Sequence, residues 1–187
     1  MSKIIYIHKN KREFAPIMKK SLLLLLIFAL QTSAVFCHTG GQDSFDELKK
    51  MSQNGNGDAG FYVGMYYFAG VDVKTDIKQG IKYFKESADN GHIGSKLWLG
   101  LISFSGLGVK KNYAEAVKYF TPCAEKGSPL AQYMLGLCYF NGYGVPKDES
   151  KAAQYFLHSA KQGYPPAQRN LGSCLSLIHI SEPTRPL

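Results

Sequence analysis

Apolar and glycine positions recur along the chain at one fixed step of 36 residues. Gly64, Gly100, Gly136 and Gly172 share that spacing, as do Gly70, Gly106 and Gly142, and Val73, Val109 and Val145. Tyr83-Phe84, Tyr119-Phe120 and Tyr155-Phe156 repeat at the same step. Ala88, Ala124 and Ala160 follow them, then Gly91, Gly127 and Gly163, with Gly55 continuing that last series upstream. A constant period of this size is what stacked supersecondary units produce.

Each unit reads as two helices. The clearest first helix, helix A, covers 130–141, where Ala131, Leu135 and Tyr139 fall on one face at i, i+4 and i+8. Gly142-Tyr143-Gly144 ends it, because glycine tolerates the left-handed turn that follows a helix. Asp148 is placed to cap helix B, about 149–162, which carries Ala152, Tyr155, Phe156 and Ala160 at helical spacing and stops at Gly163. No sustained alternation of period two predicts strands. A glycine inside helix A costs about 1 kcal/mol relative to alanine, so its recurrence needs a packing reason. Close approach of a neighbouring helix supplies one, with Ala88, Ala124 and Ala160 doing the same from helix B. A lone hairpin leaves a face unburied, so the units are expected to stack into a solenoid.

The two ends depart from this pattern. Leu22 to Leu30 is a nine-residue apolar run, preceded by Lys19-Lys20 and followed by Thr32-Ser33-Ala34. A positive flank, a short apolar core and small residues at the exit predict a secretory signal peptide over 1–34, cleaved after Ala34. The run is too short to span a bilayer, which takes about 20 residues. Met18 is a better start for such a signal than Met1. Phe36 before Cys37 argues against a lipoprotein. At the other end, residues 175–187 read LSLIHISEPTRPL. They resemble the translated end of a transposase adaptor used in sequencing libraries, and are expected to stand outside the fold.

The pattern A-x-x-x-L-G-x-x-Y-x-x-G-x-G-V is present as Ala131, Leu135-Gly136, Tyr139, Gly142 and Gly144-Val145. Its continuation is present as Lys151-Ala152, Tyr155-Phe156, Ala160 and Gly163. Over about 58–174 the chain resembles the Sel-one-like repeat (SLR) family, relatives of the tetratricopeptide repeats. The resemblance implies an all-α fold, an α/α solenoid of 36-residue helix-turn-helix repeats wound as a superhelix. The expected organisation is a linker and capping helix over 35–57, repeats over 58–93, 94–129 and 130–165, and a truncated fourth repeat over 166–174. The capping segment 43–54 aligns with the end of a helix B, with Phe45, Leu48 and Met51 on its apolar side. The truncated repeat should expose apolar surface and promote aggregation. The first repeat departs from the family pattern where Gly70-Val71-Asp72-Val73 lacks a second glycine and Gly80 replaces alanine. The second has Ser103 where tyrosine is expected. These departures predict weaker local stability.

No catalytic motif emerges. There is no G-x-S-x-G, S-x-x-K, H-E-x-x-H or phosphate loop in the sequence. Gly55-Asn56-Gly57-Asp58-Ala59-Gly60 matches G-x-G-x-x-G but follows a helical segment at a position where other repeats turn, which removes the dinucleotide context. His38, His92 and His158 fall in a tail, a turn and a helix B without ligand spacing, so no metal or other cofactor is expected. Cysteine-rich members of the family carry two cysteines per unit and are linked to penicillin binding and β-lactam hydrolysis; here that paired pattern is absent. Cys138 and Cys174 occupy one position on successive A helices, about 9 Å apart by helix packing, and Cys123 and Cys138 are offset by about 7.5 Å along the helix axis. Both separations disfavour a disulfide, so Cys37, Cys123, Cys138 and Cys174 are expected to be thiols.

Within a repeat array, positions that recur serve the fold and positions that vary can serve a ligand. Phe61, Leu97 and Tyr133 vary, as do Lys96 and Gln132 in the neighbouring series. Met65, Leu101 and Leu137 lie one turn further on. Together they predict a stripe across the A helices on the concave face, able to bind a protein or peptide, with Trp98 and Tyr62 as neighbouring anchors. Packing between repeats would use the same positions. The function implied is a non-catalytic, protein-binding scaffold that is exported, periplasmic or secreted, with no stable membrane span after signal cleavage. The alternative is a cell-envelope penicillin-binding or β-lactamase-like protein of the cysteine-rich type.

Charge supports a protein partner over nucleic acid. The whole chain has 22 Lys and Arg against 14 Asp and Glu, a net charge of +8. Six of the basic residues and one Glu lie in residues 1–34, and the tail 175–187 holds Arg185 and Glu182. Residues 35–174 keep 15 basic and 12 acidic groups, a net charge of +3. That is too small to point to a polyanion.

Overall fold

The computed structural model describes residues 45–172. Helices are α1 (Phe45–Gln53), α2 (Gly57–Ala69), α3 (Ile77–Asp89), α4 (Ile93–Ser105), α5 (Tyr113–Glu125), α6 (Pro129–Asn141) and α7 (Glu149–Lys161). An eighth, α8, runs over 165–172. No strand occurs among the described residues, and the fold class is the all-α, helix-turn-helix repeat of the α-solenoid. Residues 1–34 and 175–187, with Cys37 and Cys174, lie outside the described residues.

The helix limits follow from local chemistry repeated every 36 residues. Each A helix ends on a left-handed glycine: Gly70, Gly106 and Gly142 have φ of 69°, 74° and 71°. Each B helix starts on a side-chain cap, Asp76, Asn112 or Asp148, that accepts from the backbone N–H three residues on. The A helices begin at 57, 93 and 129, one residue ahead of the expected unit boundaries, because Asn56, His92 and Ser128 are their caps. A backbone bond joins the two helices of every hairpin: the N–H of Asp76, Asn112 or Asp148 donates to the carbonyl of Tyr67, Ser103 or Tyr139 at 2.9 Å. This bond does not depend on the side chain, so Ser103 keeps it where the other repeats have tyrosine.

The chain divides after Asn90 into two compact units. In the first, α1 packs on α2 and α2 on α3. Leu48, Ala59, Val63 and Tyr83 form its core beside Phe45, Tyr62, Tyr66 and Tyr67. From α1, Leu48 belongs to this core and Phe45 packs against it. Met51 is 39% exposed and takes no part in the apolar side. In the second unit, α4 packs on α5, α5 on α6 and α6 on α7. Phe156, Ala152 and Ala167 form a core cluster lined by Tyr133, Leu137 and Leu171.

The glycines inside the A helices make room for a ring. A Cβ on Gly64 would lie 2.7 Å from Phe84, on Gly100 2.6 Å from Phe120, and on Gly136 2.6 Å from Phe156. Those three phenylalanines are among the largest fully buried side chains. The close approach is thus between helix A backbone and a helix B phenylalanine, not chiefly the recurring alanines. Gly80 follows the same logic: a Cβ there would sit 2.6 Å from Phe68, so this departure from the family pattern accommodates a neighbour. Asp72 takes the place of the second loop glycine at φ 56°, where Gly108 and Gly144 have 71° and 72°.

Candidate interaction surface

The nine residues of the anticipated stripe are distributed over both units, and none of them is exposed. In the first unit, Phe61 is half-buried, with ring centroids 5.8 Å from Phe84 and 5.6 Å from Tyr62. Met65, one turn on, is buried. In the second unit Lys96, Leu97 and Trp98 are half-buried, and Leu101 is buried.

Gln132 is buried and fully employed. Its Nε2 donates to the Ala124 carbonyl at 3.2 Å, and its Oε1 accepts from Gln162 Nε2 at 2.8 Å. It therefore ties the start of α6 to the ends of α5 and α7. Tyr133 leans on Phe156 and Tyr164, at 5.8 Å and 5.3 Å between centroids. Its hydroxyl accepts from Asn170 Nδ2 at 3.4 Å. Burial, with the neighbouring Tyr164, raises its pKa against the opposing pull of Asn170 and Arg169. Leu137 lines the same core cluster. Met65, Leu101 and Gln132 are thus packed inside their units, and Phe61, Lys96, Leu97, Trp98, Tyr133 and Leu137 keep part of their surface accessible.

Three features escaped the sequence reading. First, Ser87 Oγ donates to the Gly57 carbonyl at 2.5 Å, Cys123 Sγ to Ile93 at 3.5 Å and Ser159 Oγ to Pro129 at 2.7 Å. Each donor lies 30 residues after its acceptor, and the three bonds succeed one another at the 36-residue step, so Cys123 occupies a serine position in the hairpin. The period alone could have shown this, had serine and cysteine been grouped as small donors. Second, Tyr113 and Tyr143 stack at 4.5 Å and 10°, with Phe104 edge-on to both and Lys111 Nζ 5.6 Å from the Tyr113 centroid. Phe104 recurs as Phe68 and Phe140, but Tyr113 stands where the other repeats have Ile77 and Glu149, and Tyr143 where they have Val71 and Leu107, so no periodic signal marks the tyrosine pair. Third, His92 caps α4 through its ring nitrogen, with Nδ1 accepting from the Ser95 N–H at 3.0 Å.

The described cysteines, Cys123 and Cys138, are free and buried, as expected of thiols. Burial pushes Cys138 up to about 12 and raises Cys123 against the lowering effect of Lys96. The G-x-G-x-x-G segment spans the α1–α2 turn. Gly55 supplies a positive φ of 86°, Asn56 caps α2, and a Cβ on Gly60 would meet Ser52 Oγ at 3.0 Å and Ser87 Cβ at 3.1 Å. No group of three or more metal-ligating side chains occurs among the described residues. No helix among them is long and apolar enough to cross a membrane.

Tandem helical hairpins with these internal registers define an α/α repeat protein. The Sel1 repeat model matches residues 58–92, 95–128 and 129–164. The chain belongs to the Sel1 repeat (SLR) family. It is similar to c5321, described as a protective antigen present in uropathogenic Escherichia coli strains displaying an SLR fold, with 32% identity and a TM-score of 0.67. That match covers 71% of this chain and 28% of the antigen, so the chain spans little over a quarter of that protein. A Sel1 repeat protein from Oxalobacter formigenes matches at 29% identity and a TM-score of 0.63, covering 68% of this chain and 96% of its own. No curated protein matches the chain.

Proposed function

We propose that this SLR protein is an exported, non-catalytic scaffold that binds a protein or peptide segment through its A helices. The observation that supports this most is the division of labour inside each repeat. The recurring glycine, phenylalanine, capping and serine positions are spent on the hairpin itself. The varying positions Phe61, Lys96, Leu97, Trp98, Tyr133 and Leu137 keep accessible surface. Aromatic and aliphatic anchors of that kind, half-open and held by a rigid helix, are what peptide grooves present.

Export rests on the signal-like segment 1–34, and the likeness to a protein described as a protective antigen is consistent with it. Expression of the gene with an affinity tag, fractionation of the envelope and culture medium, and crosslinked pull-down test the reading together. The scaffold reading expects a discrete protein partner whose capture drops at least tenfold in Leu97→Asp with an unchanged helical CD spectrum. Recovery only from the cytoplasm refutes export; hydrolysis of a chromogenic β-lactam refutes the non-catalytic assignment.

A further inference from the structure

We propose that His92 gives α4 an acid-labile cap, so that the second repeat loosens at its first helical turn on acidification while the first and third do not. The inference goes beyond the scaffold reading and does not depend on a partner.

Three equivalent A helices are capped by three different side chains. Asn56 accepts from the Ala59 N–H at 2.9 Å and Ser128 from the Ala131 N–H at 3.3 Å. Neither side chain changes its protonation at ordinary pH. In the second repeat the acceptor is His92 Nδ1, 3.0 Å from the Ser95 N and 3.0 Å from the Ser95 Oγ. The third position of the helix changes together with the cap: it is Ala59 in the first repeat, Ala131 in the third and Ser95 in the second. Ser95 is fully buried.

A ring nitrogen caps a helix only while it carries a lone pair. Protonation turns Nδ1 into a donor facing the Ser95 N–H. Ser95 Oγ can rotate to accept from the protonated ring, but the backbone N–H is left without its acceptor. The new positive charge also stands at the positive end of the helix dipole. Asp89, at the end of α3 and three residues before His92, is acidic and exposed. Lys96 lies one turn along α4 and is of like sign. The end of α5 lies beside the start of α4, as the Cys123–Ile93 contact shows. It brings Glu125 and Lys126, of opposite sign and both exposed. The stabilisation from the cap is therefore present above the range in which imidazole protonates, about 6.5, and is lost as pH falls through it.

The test uses the full chain, with His158→Gln in every variant to remove the other described histidine. Amide exchange at Ser95 and Ala131, corrected for intrinsic rates, is followed by NMR from pH 7.5 to 5. Ser95 protection is expected to fall about fivefold or more while Ala131 stays within twofold. His92→Asn should hold Ser95 protection constant over the range. Thermal melts give a second readout: the wild-type Tm should fall relative to His92→Asn by about 3 °C or more between pH 7.5 and 5. Parallel pH profiles at Ser95 and Ala131, a constant Tm difference, or better protection of Ser95 at pH 5 would each overturn the proposal.

Discussion

Gly136→Ala sets helix propensity against packing, and the structure decides the sign. Alanine in a helix interior gains about 1 kcal/mol over glycine, so an isolated α6 would be stabilised. In the folded chain the added methyl lies 2.6 Å from Cδ1 and Cε1 of Phe156, about 1 Å inside an ordinary carbon–carbon contact of ~3.5–4.0 Å. The ring cannot retreat, because Phe156 is 1% exposed and held by Ala152, Ala167 and Tyr133. Overpacking of this kind costs about 1–3 kcal/mol. With an overlap this large the cost lies in the upper part of that range, leaving a net loss of about 1–2 kcal/mol. In a unit of this size Tm should fall by roughly 4–8 °C per kcal/mol. Urea and thermal unfolding of Gly136→Ala, Phe156→Leu and the double variant measure it. The double variant should recover at least 0.5 kcal/mol relative to additivity, in the ~0.5–3 kcal/mol range of contacting pairs. Gly172→Ala is the control, since its added Cβ meets nothing within 4 Å among the described residues; it should be neutral or gain up to about 1 kcal/mol. A Gly136→Ala protein more stable than the parent, or strict additivity with Phe156→Leu, refutes the ring-notch account.

Other outcomes follow from the same geometry. Cys123→Ser should be neutral or stabilising by up to about 1 kcal/mol, because it restores the hydroxyl donor of Ser87 and Ser159, whereas Cys123→Ala should lose about 0.5–1.5 kcal/mol; chemical unfolding ranks the two. Cys123 and Cys138 should resist iodoacetamide in the native chain at pH 8 and react fully in denaturant, read by peptide mass mapping, because buried thiols do not reach the thiolate. Since the Cys138 pKa is raised from 9.0 to about 12 in the fold, its contribution to stability is intact below pH 9 and is lost as pH rises towards 12; Cys138→Ala should flatten that part of the alkaline profile. Asp72→Gly should stabilise the first unit by about 0.5–1 kcal/mol, as it relieves a left-handed residue at φ 56°, while Gly144→Asp should fail to fold the second unit normally because its Cβ would sit 2.5 Å from the backbone of Tyr113 and Ala114. Tyr133→Asp should lower helical content, unlike Leu97→Asp, because it removes the ring contacts of Tyr133 with Phe156 and Tyr164 and sets a charge against them.

The repeat, its helices and their ends were legible because they depend on interactions between near neighbours. Asp148 reads as a cap because its side chain reaches a backbone N–H three residues away, and Gly142 reads as a stop because its φ is the obstacle that other residues cannot meet cheaply. The glycine at 136 was legible as a close approach, but its occupant was not. Phe156 and Ala160 recur at the same period, and only the packed hairpin shows that the ring enters the notch. The candidate surface was legible more coarsely. Variation between repeats singled out Phe61, Leu97 and Tyr133, yet it equally singled out Gln132, whose two hydrogen bonds bury it in the fold. Met51 misled for a related reason. Helical periodicity places it with Phe45 and Leu48, but α2 covers only part of that face.

By itself the sequence determined the 36-residue unit, the two helices in each, the glycine and capping residues that bound them, and the family. Periodicity and local hydrogen bonding carry those, and both are written in the order of residues. The tertiary structure decided which ring fills each glycine notch, why a cysteine stands at position 123, and which of the varying positions retain accessible surface. Each of these depends on partners about 20 to 40 residues away or on how far a neighbouring helix reaches over a face. Burial and pairing at that range arise only when the hairpins close.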